Sequence, residues 1–169
     1  MKAMKRPVLG FTLNLLALSL LGHLLLGSPI ETAEKGMPKP TAKDKCPVCG
    51  MFIFKYPDWT SAVIFKDGSR ALFDGPKDMF KYLLDLKRYN PSKKAEDIDA
   101  LWVLDYYAIS PINARNAWYV LGSDVFGPMG RELIPLEKES GAKEFMKDHK
   151  GKKILKFSEV TAEVIKTLD

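Results

Sequence analysis

Both cysteines of this chain, Cys46 and Cys49, stand three positions apart, so no disulfide can staple distant segments together. A bridge across so short a loop removes little chain entropy, and whatever fold the chain takes must be held by its apolar core. The pair lies in the stretch Cys46-Pro47-Val48-Cys49-Gly50-Met51. The residues before this stretch read as targeting and tether. Those after it read as one folded unit, within the usual single-domain size of roughly 100–200 residues.

Lys2, Lys5 and Arg6 precede a nearly uncharged apolar run from Val8 to Leu26, the pattern of a secretory signal. Asn14 and His23 dilute the run, and no clean A-x-A triplet comes after it. The run is also almost long enough to cross a bilayer core of about 30 Å. Two readings therefore stand for residues 1–27, a cleaved signal peptide or an uncleaved N-terminal anchor, and either one exports the body to the periplasm. Residues 28–44 hold Pro29, Gly36, Pro38 and Pro40 among charged residues and read as a flexible tether. Met37 falls in it as a linker methionine. The domain proper is expected over 45–169.

Charge argues against a nucleic-acid partner. The formal net charge is +5, but without the three basic residues of the leader 23 Lys and Arg face 21 Asp and Glu. These charges are interspersed, as in Lys93-Lys94-Ala95-Glu96-Asp97, which describes a solvated surface and not a phosphate-binding stripe.

Hydrophobic periodicity places the elements. Residues 51–55, 61–65 and 70–73 are rich in β-formers, with Lys66-Asp67-Gly68-Ser69 as a hairpin turn. Asp74 is expected to N-cap a helix opening at Pro76 and running to Asn90, with Met79, Phe80, Leu83 and Leu86 on its buried stripe. Strands are expected next at 101–108 and 117–121, then a glycine-rich passage over 122–130, a strand at 132–136, a helix over 138–148 and a strand at 154–157. Ser158 is expected to cap a last helix. Strands, helix and strand, twice over, predict an α+β fold of two loosely repeated β-β-α-β units with mostly antiparallel sheet.

The chemistry rests on sulfur. Cys49 and Met51 are two apart and can share one face of an extended segment, with Gly50 leaving backbone room beside an ion. A thiolate with a thioether suits Cu(I) better than harder ions. Met129, in Gly127-Pro128-Met129-Gly130, sits where a turn can present a third sulfur. Core packing is the plainer reading of each of these residues alone. Cys46 with Cys49 also forms half of a zinc site, but closing it would need carboxylates, because the body has no further cysteine and one histidine, His149. His149 itself reads as a solvent-facing residue at a helix end. The alternative from another class is a thiol–disulfide oxidoreductase using Cys46 and Cys49. Such a pair belongs at a helix N-terminus after a strand, whereas this one comes after a proline-rich tether. No nucleophile–base–acid spacing argues for an enzyme.

Taken together, Cys49-Gly50-Met51, Phe73-Asp74-Gly75, Gly127-Pro128-Met129-Gly130 and Glu132-Leu133-Ile134-Pro135 resemble the NosL family, over roughly residues 45–159. The resemblance implies an exported Cu(I)-binding accessory protein, a metallochaperone, associated with maturation of the copper centres of nitrous oxide reductase. It implies a fold of two β-β-α-β units akin to that of organomercurial lyase. An upstream copper donor and a client copper enzyme would be its partners, with a possible membrane tether through the N-terminal segment. By position it implies Cys49 and Met51 as copper ligands and Met129 as the third. Many family members are lipoproteins, and this chain lacks the cysteine for that. It also carries Cys46, as a second thiolate or a redox partner.

Overall fold

Ser61–Phe65, the strand β1, is buried along nearly its whole length, which is what a run of Ala, Val, Ile and Phe gives when both faces are covered. It turns back through Gly68, at φ +81°, into β2 (Arg70–Phe73). The Asp67 carboxylate fixes this turn by accepting the Ser69 N–H at 3.0 Å. The computed structural model describes residues 36–169, so the leader and most of the tether lie outside the described residues. From Gly36 onward the chain lies on the domain, and Met37 packs against the core.

On its other edge β1 pairs with β3 (Ile98–Leu104), which pairs in turn with β4 (Pro111–Asn113). The order is β2-β1-β3-β4, antiparallel throughout. A second sheet is built from β5 (Trp118–Gly127), β6 (Gly130–Leu136) and β7 (Lys153–Lys156), in the order β6-β5-β7 and again antiparallel. In each unit the first strand is central, flanked by its hairpin partner and by the strand that returns after a helix. Those helices are α1 (Pro76–Leu84) and α3 (Glu139–Asp148). The mixed α and β architecture with antiparallel sheets, in two β-β-α-β units, is thus as the sequence predicts.

Helix α1 joins the units. It packs against β1 and β2 of its own unit and against β6 of the other. One core cluster accordingly mixes Phe73, Met79 and Phe80 with Tyr119, Leu133 and Leu155. The Phe80 ring meets Tyr119 edge-on, with centroids 5.1 Å apart, a pairing worth about 1 kcal/mol beyond the area it buries. Met79 is fully buried, as its helical spacing predicts. A smaller cluster under α3 holds Val120, Ile134, Leu136, Ala142 and Phe145.

Several boundaries differ from the sequence reading. Residues 51–55 form no strand. Only Phe52 bridges, to Lys45, and Ile53–Lys55 closes a 3-10 turn, because the chain has just reversed at the cysteine loop. The first helix breaks at Asp85 (φ −135°), whose carboxylate caps a short α2 (Leu86–Tyr89) through the Arg88 N–H at 3.3 Å. The strand at 101–108 stops at Leu104, since Asp105 accepts N–H bonds from Tyr107, Ala108 and Glu137 and curls the chain. The glycine-rich passage is the tip of a hairpin: β5 runs through Gly127 and β6 starts at Gly130. Thr161, not Ser158, caps the last helix, α4 (Ala162–Lys166).

Candidate metal centre

The loop that carries the cysteines is closed by its own backbone. Cys46 N–H donates to the Met51 carbonyl at 2.9 Å, and Gly50 N–H donates to the Cys46 carbonyl at 2.9 Å. Gly50 sits at φ +80°, and a Cβ there would meet nothing within 4 Å. The left-handed backbone at this position favours glycine. Cys46 is buried and Cys49 half-buried.

The loop docks on the start of α1. There the Cys46 thiol donates to Asp78 Oδ2 at 3.3 Å, and the Cys49 thiol donates to Asp74 Oδ1 at 3.2 Å and Oδ2 at 3.4 Å. Taking one sulfur or oxygen from each residue, all four donors lie within 4.8 Å of one another. Asp74 and Asp78 are both buried. Asp74 is not the N-cap that the sequence predicts: Gly75 holds that position, and the Asp74 carboxylate is turned to Cys49. Sequence reasoning missed Asp78 altogether. No local spacing signals it, because Asp74 precedes the N-cap Gly75, whose backbone is extended, and only Asp78 lies on the helix.

Burial pushes the Cys49 thiol up to about 12, and the neighbouring Asp78 and Asp74 carboxylates add to this. Burial pushes the Cys46 thiol up further still, with Asp74 and Asp78 again disfavouring its thiolate. An attacking cysteine needs the opposite, an acidic thiol in electropositive surroundings. A metal ion supplies its own positive charge and can ionise such thiols outright.

The cap that α1 lacks from Asp74 comes from the second unit. Glu132 Oε1 on β6 accepts the Lys77 N–H at 2.6 Å and the Leu133 N–H at 2.8 Å. Gly75 makes room for it. Its φ of 178° is open to any residue, but a Cβ would stand 2.2 Å from Glu132 Oε2. Gly75→Ala is expected to lower stability by about 2 kcal/mol, the usual scale of overpacking in a filled site, as read from the midpoint of urea unfolding.

The structure brings Cys46 and Cys49 together but places the two methionines differently. Met51 ends the cysteine loop, half-buried, with its carbonyl closing that loop. Met129 forms the β5–β6 turn, and its side chain is 44% exposed. The buried Lys77 Nζ donates to the Met129 carbonyl at 2.8 Å, so this turn is fastened to the same first turn of α1 that holds the aspartates. His149 stands elsewhere, at the C-cap of α3, stacked on Phe145 with centroids 4.3 Å apart.

Fold and site together define a small α+β domain with a thiol–carboxylate cluster of metal-binding character, built on a helix that two β-β-α-β units share. Comparison with known families narrows this class. The NosL family model matches residues 37–165, and the chain belongs to the NosL family. The crystal structure of the copper chaperone NosL from Shewanella denitrificans is similar at a TM-score of 0.65 and 25% identity, over 76% of this chain and 98% of that one. The solution structure of apo-NosL from Achromobacter cycloclastes also matches, at 21% identity and a TM-score of 0.43, over 62% of this chain and 87% of that one. No curated protein matches.

Proposed function

We propose that this chain is an exported Cu(I) chaperone that takes copper from an upstream donor and passes it to a client enzyme, nitrous oxide reductase. In this reading Cys49, Met51 and Met129 bind the ion, with Cys46 as a second thiolate. The observation that carries it is the half-buried Cys49 thiol on a closed loop, beside a helix turn to which Lys77 fastens the exposed Met129 turn. Family membership and the named function of the Shewanella protein support the copper assignment. Soft sulfur donors on loops suit transfer, because Cu(I) accepts few ligands and an incoming donor can bind before the old ones leave.

Export rests on the basic and apolar leader of residues 1–27. Among the described residues no helix is long and apolar enough to cross a membrane. The test of the copper reading is titration of the reduced protein with Cu(I) against a competing chelator. One tightly held ion is expected per chain, and X-ray absorption of that complex should show sulfur neighbours. Met129→Leu keeps the turn and its carbonyl and is expected to weaken binding about tenfold, at the low end of what ligand-sphere changes cost. An affinity unchanged in Met129→Leu would remove that residue from the site.

A further inference from the structure

Phe52 and Phe54 follow the cysteine loop directly, and both are exposed, at 38% and 42%. Their rings meet edge-on with centroids 6.1 Å apart. Phe54 forms one wall of an apolar groove of about 430 Å³, which Leu104, Ile109 and Pro111 continue and Met37 to Pro40 of the tether close. We propose that this face of the folded domain, presenting Phe52, Phe54 and Ile109, rests on an anionic phospholipid bilayer. The proposal does not involve the copper ligands, so it stands or falls apart from the copper reading.

Three observations carry it. The first is Ile109. It is exposed at 45% and held at φ +49°, a left-handed conformation that strains a β-branched residue. A turn built on Asp105 imposes this. The Asp105 carboxylate accepts the Tyr107 and Ala108 N–H groups at 3.0 and 2.9 Å, and its carbonyl accepts the Ile109 N–H at 2.9 Å. Glycine would be unstrained there, so nothing in the turn itself calls for an apolar side chain. Backbone strain of this kind gathers where a side chain is displayed for a partner.

The second is where the chain enters the domain. Gly36, the first described residue, comes ten positions after Leu26, where the apolar run ends, and the next four residues wall the groove. Ten residues span at most about 35 Å when fully extended, so a leader retained in a bilayer keeps this face within reach of the headgroups. The third is charge. The Lys45 and Lys55 ammonium groups lie 4.7 and 6.0 Å from the Phe52 ring centroid, and Lys39 lines the groove. All three lysines are exposed. Asp58 is the one acidic residue among those lining the groove. Asp44, beside Lys45, is occupied by the Thr41 N–H and hydroxyl at 2.6 and 2.8 Å. Aromatic and aliphatic side chains ringed by lysines suit the boundary between acyl chains and anionic headgroups. The lysine stems lie along apolar surface there while their charges reach the phosphates.

The test places the full chain, leader retained, in bilayer discs of mixed phosphatidylglycerol and phosphatidylcholine that carry a headgroup nitroxide, with isoleucine methyl groups as NMR probes. The Ile109 methyl is expected to lose its signal to the nitroxide, while that of Ile154, on β7 of the other unit, keeps it. High salt, or discs of phosphatidylcholine alone, should restore much of the Ile109 signal, because screening or removing the lipid charge weakens the lysine contacts. Phe52→Ser/Phe54→Ser should restore it as well. Lys39→Gln/Lys55→Gln serves as a second variant should the first fail to fold, and should lower the face-bound population about fivefold per lysine removed. Equal Ile109 intensity with and without the nitroxide would overturn the proposal and leave the leader as the attachment. Equal loss at Ile154 would overturn it too, as would an Ile109 signal indifferent to both variants, or a chain absent from the discs. Ile109 broadening that grows with the number of chains per disc and needs no nitroxide would overturn it in favour of a second copy of the chain on this face.

Discussion

Replacing Glu132 with alanine is expected to cost about 3–5 kcal/mol of folding stability, the scale of two orphaned buried donors and a cavity together, measured by urea unfolding. Its Oε1 serves the Lys77 and Leu133 N–H groups, at 2.6 and 2.8 Å. Truncation leaves both donors unpaired inside the protein, at about 1–3 kcal/mol each. It also empties the space beside Gly75 and Gly127 that the side chain now fills, a cavity the backbone cannot close cheaply. Among the described residues no side chain of the first unit caps α1, so the helix that supports the cysteine loop would begin uncapped. Loosening of the thiol–carboxylate cluster should therefore accompany the loss of stability.

The same residue sets a pH dependence. Burial pushes the Glu132 carboxyl up to about 8 from an ordinary value of 4.5, against the opposing pull of the Leu133 and Lys77 N–H groups and the Lys77 charge. A carboxyl raised in the folded state is held protonated there while the unfolded chain has already released its proton. Stability is thus greatest below pH 4.5 as far as this group is concerned, and falls as pH rises from 4.5 through about 8. The slope in that window is at most about 1.4 kcal/mol per pH unit. Glu132→Gln keeps an acceptor oxygen and carries no charge, so its stability should be flatter over the same window and exceed that of the parent chain on the alkaline side. A parent-like slope in Glu132→Gln would assign the pH dependence to another group.

Periodicity reaches what is local and stops at what is tertiary. The unbroken run of β-formers in Ser61–Phe65 and the helical spacing of Met79 and Phe80 reveal the β-β-α-β order because those residues answer to one core. The β5–β6 tip is hidden in the sequence because Gly122, Gly127, Pro128 and Gly130 are turn formers, yet the ladder continues past Gly122 through a bulge to Gly127. Asp74 shows the limit more sharply. Next to Gly75-Pro76 a capping role is the best local inference, but the Cys49 thiol arrives from 25 residues upstream and claims the carboxylate. Glu132 is then free to do the capping from 55 residues downstream. Neither partner is visible in a window of helical length. The cysteine pair was legible in the sequence, whereas the carboxylates that accept its thiol hydrogen bonds were brought to it by the fold.

The other large effect falls on Cys49. Cys49→Ser is expected to weaken Cu(I) binding by more than about a hundredfold, since even groups that only support a metal's ligands are worth about 10–100-fold. A serine hydroxyl is a hard, neutral donor at neutral pH and cannot replace a thiolate at a soft monovalent ion. Cys46 offers only partial rescue, because it lies fully buried against Asp78 while Cys49 is the half-buried thiol of the pair. Thermal unfolding should show the variant folded, because serine can still donate to Asp74 from the same position. Competition with a Cu(I) chelator reads the affinity, and transfer to an acceptor thiol peptide reads the hand-over. Parent affinity in Cys49→Ser, with Cys46→Ser weakened instead, would move the copper centre inward to the buried thiol. Tight binding in both single variants would leave the methionines as the holders of the ion and remove the thiol-centred site.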